Sequence, residues 1–231
     1  MMNSGYNELR KELVQRLINE GIITSKKVAK AMSTVPRELF VPGKYKELAY
    51  MDHPLPIGWG QTISAPHMVA MMTEALDPEP GNIVLEIGAG SGYHAAVVAE
   101  IICHGPKYGH VFTIERIAPL AAFAQRNLVK AGYGDCVTVI VGDGSGGVPE
   151  LAPFDRILIT AAAPTIPKVL LNQLAVGGRI VAPVGHMWEQ RLVIVKRISK
   201  DKIKYEYGTY CVFVPLIGKY GWREDRSRYS I

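Results

Sequence analysis

The sequence predicts an α/β protein whose core is a mostly parallel sheet with helices on both faces. Three observations lead there. From Ile83 onward, short runs of buried-strand composition alternate with helical runs, which demands parallel pairing with crossover helices. A glycine-rich turn, Gly88-Ala89-Gly90-Ser91-Gly92, stands where the first of these strands passes into the first of these helices. Two alternating strands around Ser199-Lys200-Asp201 then form an antiparallel hairpin that completes the sheet.

The elements follow in order from pattern and punctuation. Leu9, Leu13 and Leu17 share one face of a helix from Glu8 to Asn19, flanked by Val14 and Ile18 and stopped at Gly21. Thr24 or Ser25 caps a second helix with Val28, Met32 and Val35 on its apolar face, and Pro36 ends it. Residues 36–64 are rich in Pro and Gly and are expected to be irregular; a loop of that length inside a compact domain is usually functional or a lid. The next helix has Met68, Val69, Met71, Met72, Ala75 and Leu76 on its apolar side. Pro66 falls in its first turn, where a missing N–H costs nothing, and Ser64 falls at its N-cap. Strands are expected at Ile83 to Ile87, His110 to Ile114, Val137 to Val141, Phe154 to Thr160 and Arg179 to Val184. Helices are expected at Tyr93 to Ile102, Pro119 to Ala131 and Pro167 to Leu174, the middle one with Pro near its start and Gly132 past its end. Arg191 to Ile198 and Lys202 to Val212 make the closing hairpin.

Composition narrows the function classes. The 231 residues are 48% hydrophobic, enough for one sizeable domain. Apolar runs are broken well before the ~18 residues a membrane span needs. The first residues lead into a charged amphipathic run rather than a signal peptide, so a cytoplasmic enzyme is expected. Cys103, Cys136 and Cys211 are scattered without Cys-x-x-Cys spacing and read as reduced thiols; no metal site is expected. A net charge of +5 is a mild excess, part of it in a tail with Arg223, Arg226 and Arg228, and does not by itself argue for a nucleic-acid partner.

The candidate cofactor site lies at the carboxyl ends of the strands, where open α/β sheets bind ligands. Glycines let backbone approach a ligand closely. A pyrophosphate fingerprint needs its third glycine at position 93, which is Tyr93, so the loop suits a ligand without phosphates. Glu115 ends the second strand, where a carboxylate accepts both ribose hydroxyls; dehydrogenases use the same device. Asp143-Gly144 follows the third strand, placed for an adenine amino group. Upstream, Ser64 reads either as a helix cap or as a group beside a bound carboxylate, since a helix N-terminus attracts anions. His67, one turn in, is either structural or a ligand.

These pieces resemble one family. They are Val35-Pro36-Arg37-Glu38-Leu39-Phe40-Val41-Pro42, Pro54-Leu55-Pro56-Ile57-Gly58, Gln61-Thr62-Ile63-Ser64-Ala65-Pro66-His67-Met68, the glycine loop, Pro153-Phe154-Asp155-Arg156-Ile157, Ala161-Ala162-Ala163-Pro164 and Phe213-Val214-Pro215-Leu216. Together they resemble the protein-L-isoaspartate (D-aspartate) O-methyltransferases over roughly residues 35–222. The resemblance implies a Rossmann-like, S-adenosyl-L-methionine-dependent enzyme that methylates the α-carboxyl of L-isoaspartyl residues in damaged proteins and peptides. The ester then closes to a succinimide. It implies Ser64 as the active-site residue, with Ile63, Ser64, Val214, Pro215 and Leu216 at the substrate. It implies Glu86, Gly88, Gly90, Ser91, Glu115, Asp143 and Gly144 at the cofactor, and His67 and Gly92 are expected there beside them. Some members carry Thr after the Pro-Leu pair; here Ile217 stands there. One methyltransferase domain is expected, with residues 1–64 as a helical and loop extension and 65–184 as the cofactor-binding core. Residues 185–222 form the hairpin and cleft segment, and 223–231 a basic tail.

The chemistry fits this residue set. A carboxylate with a reference pKa of ~4 is ionised at neutral pH and needs no general base. The absence of a Ser-His-Asp or Cys-His set in the sequence is therefore no obstacle. Two other readings share the fold: a methyltransferase acting on RNA or a small molecule, and a nucleotide-binding module without turnover. The intact Ser64, Glu115 and Asp143 argue against the second.

Overall fold

The computed structural model describes residues 2–104 and 108–223. The tail arginines Arg226 and Arg228, and residues 105–107, lie outside the described residues.

Two helices open the chain, α1 (Met2–Asn19) and α2 (Lys26–Thr34). Ser25 is the cap of α2, its hydroxyl accepting the Val28 N–H at 3.2 Å, and Val28, Ala31 and Met32 bury its inner face. Val35 leaves the helix in an extended conformation, as the residue before a proline must. The stretch expected to be irregular is more ordered than its composition suggests. It holds two 3-10 turns, Arg37–Leu39 and Gly43–Leu48, and an antiparallel hairpin of β1 (Leu55–Gly58) and β2 (Gln61–Ile63). The alternation Leu55, Ile57 inward against Pro56, Gly58 outward is the strand signal that the prolines and glycines masked.

The core then runs α3 (Pro66–Leu76), β3 (Ile83–Ile87), α4 (Tyr93–Ile102), β4 (His110–Glu115), α5 (Ala118–Lys130), β5 (Val137–Val141), β6 (Phe154–Ile159), α6 (Lys168–Gln173), β7 (Leu174–His186), β8 (Glu189–Ser199) and β9 (Lys202–Cys211). Strand order in the sheet is β5-β4-β3-β6-β7-β8-β9; the first five named are parallel, and β8 and β9 return antiparallel. β7 starts earlier and ends later than expected, because it pairs with β8 as far as His186 opposite Glu189. Gly177, at φ 81°, carries the chain through a conformation that halts a helix but not this long strand.

Successive residues of β3 face opposite sides of the sheet, and the core divides accordingly. Val84 packs with α1–α4 on one side, while Leu85 and Ile87 pack with Phe154, Ile157, Leu170 and Leu174 on the other. All ten residues of α4 are buried, so this helix is enclosed on every side and shows no polar face.

One expectation is corrected outright. Cys103 and Cys136 are joined as a disulfide, with Cα atoms 6.4 Å apart, and Cys211 is the free, buried thiol. They lie 33 residues apart at the end of α4 and the entry to β5, so no local spacing announces the pair. Cysteine usage therefore no longer argues for a reducing compartment. No helix among the described residues is long and apolar enough to cross a membrane.

Candidate active site

The strand order reverses at β3: β4 lies on one side and β6 on the other, which leaves a crevice beyond their carboxyl ends. The glycine loop fills the mouth of that crevice. Gly88 has φ 101°, and a Cβ there would collide with the Thr160 hydroxyl. Thr160, just past β6, donates instead to the Gly88 carbonyl at 2.6 Å and to Ile87 at 3.0 Å, tying the two strand ends together. Gly88, Gly90 and Ser91 line a cavity together with Tyr93, His94, Ile114, Glu115, Gly144 and Thr160. Gly92, at φ 89°, turns the chain into α4 against Leu128 and is not among the lining residues. Asn127 on α5 fixes the loop from behind, donating to the Ser91 carbonyl at 3.0 Å.

Glu115 does more than the sequence suggests. One carboxylate oxygen accepts the Gly90 N–H and the other the Ile117 N–H, both at 3.0 Å. The end of β4 therefore holds the glycine loop in shape. A carboxylate has about four lone-pair sites, so each oxygen keeps capacity for a ribose hydroxyl. Glu86 lies deeper and does not line the cavity. Thr113 donates its hydroxyl to one oxygen, and the other is buried without a partner in the protein. Burial pushes its carboxyl up to about 8, the Thr113 hydroxyl pulls against that, and the Glu115 charge adds to it.

Asp143 is placed differently from the expected adenine contact. Its oxygens accept the N–H groups of Ser145 at 2.9 Å and Lys219 at 2.7 Å, and only its neighbour Gly144 lines the cavity. Burial works to raise its carboxyl, but these N–H donors outweigh burial and hold it below the usual range. Ser145 Oγ accepts the Tyr220 N–H at 3.0 Å beside it. The segment 214–222 is thus stitched across the crevice. At its other end Ala162 donates to the Val214 carbonyl at 2.7 Å and accepts from Leu216 at 2.8 Å and from the Trp222 indole at 3.1 Å. Val214, Pro215, Leu216 and Ile217 form the cavity wall opposite the glycine loop.

Ile63 and Ser64 enter the same cavity from the end of β2. Ser64 is not the cap of α3: that position is Ala65, and the cap is supplied by Asp52. Asp52 Oδ1 accepts the His67 N–H at 2.9 Å and the His67 Nδ1–H at 3.0 Å. The helix N-terminus is therefore already served by the chain's own carboxylate and is not an open anion site. The Ser64 hydroxyl makes no hydrogen bond among the described residues and lies where the cavity meets a second, outer groove. His67 lines that groove rather than the cofactor cavity.

Two lining residues, His94 and Thr160, and one buried residue behind the lining, Arg37, had no sequence signal of their own. Arg37 is fully buried, donates to the Ser64 carbonyl and the Ala49 carbonyl at 2.8 Å each, and lies 4.8 Å over the Tyr93 ring. His94 bonds Thr73 at 3.0 Å, and burial pushes its imidazole down to about 3, so it is neutral. Thr160 closes the floor. The Val-Pro-Arg piece drew attention to Arg37 only as part of a motif; nothing local marked His94 or Thr160.

The arrangement fits an adenosyl ligand: bare backbone at Gly88 and a carboxylate with spare acceptor capacity at Glu115, both lining the cavity. No cluster of His, Cys, Asp and Glu among the described residues has the form of a metal site.

The model of one protein family, described as protein-L-isoaspartate(D-aspartate) O-methyltransferase, matches residues 7–221. A protein-L-isoaspartate O-methyltransferase of Staphylothermus marinus is 58% identical over 225 residues, covering 96% of this chain and 100% of the relative. One of Hyperthermus butylicus is 59% identical, covering 95% and 92%. A solved protein-L-isoaspartate O-methyltransferase superposes with a TM-score of 0.82 at 31% identity, covering 92% of this chain and 67% of that one. The Plasmodium falciparum structure, in complex with S-adenosyl-L-homocysteine, gives 0.79 at 28% identity and covers 90% and 98%.

Proposed function

The chain belongs to the protein-L-isoaspartate (D-aspartate) O-methyltransferase family, and from that premise we propose how its residues divide the work. The enzyme transfers methyl from S-adenosyl-L-methionine to the α-carboxyl of L-isoaspartyl residues in damaged proteins and peptides. The bound donor supplies an electrophilic methyl on a sulfonium. The glycine loop and Glu115 hold its adenosyl part. Ile217 replaces any hydroxyl contact with an apolar one.

The chain's task at the substrate is positioning. Ser64 donates its hydroxyl to one carboxylate oxygen and leaves the other directed at the methyl. The observation that carries this role is the pairing of Asp52 with α3, which leaves the Ser64 hydroxyl uncommitted at the seam of cavity and groove. Arg37, bonded to the Ser64 carbonyl, fixes that residue's backbone. The walls formed by Val69, Val214, Pro215 and Leu216 exclude water where opposite charges are neutralised. Positioning at this scale accounts for large rate effects without an acid–base pair. The partners are proteins and peptides that contain isoaspartate, and we place the enzyme in the cytoplasm with them.

The test is methyl transfer to two peptides that differ only in L-isoaspartate against L-aspartate at one position. Base-labile ester on the isoaspartyl peptide alone is expected. Ester on both, or on neither while donor analogue binds, overturns the substrate assignment.

A further inference from the structure

In the reaction above, Glu115 and the glycine loop take the adenosyl part of the donor. Its amino-acid end, an ammonium and a carboxylate, has no partner yet. An ammonium drawn out of water needs an acceptor. The carboxylate that lines the cavity among the described residues is Glu115, which already accepts two N–H groups besides its ribose role. A second strong acceptor faces the same cavity from α4.

His94 is 7% exposed and lines the cavity from the first turn of α4, two residues past Gly92. Side chains there tilt back towards the helix start, here the glycine loop. Thr73 on α3 lies against the ring. The Thr73 hydroxyl oxygen is 2.7 Å from the Val69 carbonyl oxygen and 3.0 Å from His94 Nε2. A carbonyl carries no proton, so the contact between the two oxygens uses the single Thr73 proton. The hydroxyl can then only accept from His94, and the proton of the neutral imidazole sits on Nε2. Burial pushes the imidazole down to about 3, so the ring is neutral near pH 7 and Nδ1 is a bare lone pair. Nδ1 has no hydrogen-bond partner among the described residues.

The acceptor is also held still. Thr73 is fully buried, and its bond to Val69 fixes the hydroxyl that fixes the ring. Val69 itself lines the cavity, so α3 and α4 meet there through this one chain of bonds. An acceptor fixed before its ligand arrives loses little entropy on binding. Hydroxyl oxygens line the cavity as well, at Ser91 and Thr160, but an imidazole nitrogen is the stronger base.

Building on the donor assigned above, we propose that His94 Nδ1 accepts the α-ammonium group of S-adenosyl-L-methionine, with Thr73 as the positioning residue that sets the tautomer. The enzyme then reads both ends of its cofactor. Glu115 recognises the ribose, and His94 distinguishes a ligand with the amino group from one without it.

The experiment is titration calorimetry on the full chain with three ligands. They are S-adenosyl-L-homocysteine, an analogue lacking only its α-amino group, and 5′-methylthioadenosine, which lacks the amino-acid end. The wild type is expected to bind the first roughly tenfold or more tighter than the second, the worth of a hydrogen bond to a charged group. That ratio should fall towards one in His94→Leu and recover in part in His94→Asn, whose amide oxygen can take the place of Nδ1. It should fall in Thr73→Val and recover in Thr73→Ser. The Kd of 5′-methylthioadenosine should stay unchanged throughout, which verifies the fold and the adenosine end. A second reading needs no variant. Nitrogen-15 NMR of the ligand-free wild type should show His94 protonated at Nε2 and bare at Nδ1. The Nδ1 resonance should move with S-adenosyl-L-homocysteine and stay in place with the deaminated analogue. A wild-type ratio near one overturns the proposal, as does a ratio that His94→Leu leaves intact. So does an equal loss for all three ligands, which would make His94 a packing residue, or a proton found on Nδ1. A wild type that binds none of the three ligands overturns the cofactor assignment instead.

Discussion

Asp52 Oδ1 holds His67 twice, by its backbone N–H at 2.9 Å and by its ring Nδ1–H at 3.0 Å. A capping residue 15 positions upstream therefore does what the local pattern assigned to Ser64. Asp52→Ala removes an N-cap worth about 1 kcal/mol, and urea denaturation should show a loss of that order. The orphaned N–H then competes for the Ser64 hydroxyl. We expect kcat/KM to fall further than cofactor affinity; an equal loss in both would show that the cap serves only stability.

Ser64→Ala removes a hydroxyl with no partner among the described residues, so stability should be unchanged within about 0.5 kcal/mol. Methyl transfer should drop by roughly one to two orders of magnitude, since one misplaced contact at a reacting atom has that effect. Titration calorimetry with S-adenosyl-L-homocysteine should give an unchanged Kd. Normal kcat/KM would remove Ser64 from the reaction.

Glu115→Ala deletes a ribose acceptor and leaves the N–H groups of Gly90 and Ile117 without partners. Cofactor affinity should fall by about tenfold or more, the equivalent of a charged hydrogen bond. Amide exchange at Gly90 should accelerate in the same variant, before any ligand is added. Unchanged exchange would mean that Thr160 and Asn127 suffice to hold the loop.

Glu86 makes stability depend on pH. Its folded pKa, about 8, lies above its unfolded value, so the fold binds a proton that the unfolded chain has released. That contribution is complete below the unfolded pKa and is lost as pH rises through the folded one. The cofactor-free enzyme should lose on the order of 3 kcal/mol between pH 5 and pH 8 from this group. Glu86→Gln should flatten the denaturation profile over that window; an identical slope would show that Glu86 stays ionised.

The sheet and its helices were legible because period and punctuation agree: Ile83–Ile87 and Tyr93–Ile102 begin and end where their residues say. That the glycine loop, Glu115 and Ser64 come together around one cavity was legible because strand ends and loop chemistry are local. What escaped depends on pairing across distance. Asp52 and Asp143 each satisfy N–H groups far along the chain, and no window of sequence contains both partners. The β1–β2 hairpin hid behind its own Pro56 and Gly58, which face outward where they do no harm. Cys103 and Cys136 meet only because α4 ends beside the start of β5.

The hook between Asp143 and the backbone of Lys219 also sets an order of events in biosynthesis. Every strand of the parallel sheet is made before residue 187, yet one wall of the ligand cavity comes from residues 214–217, and its anchors from 219–222. A chain still emerging from the ribosome has its glycine loop but no enclosed cavity. Ligand binding therefore reports that synthesis has passed residue 222, and a chain truncated before Gly218 would carry the whole sheet and no closed site.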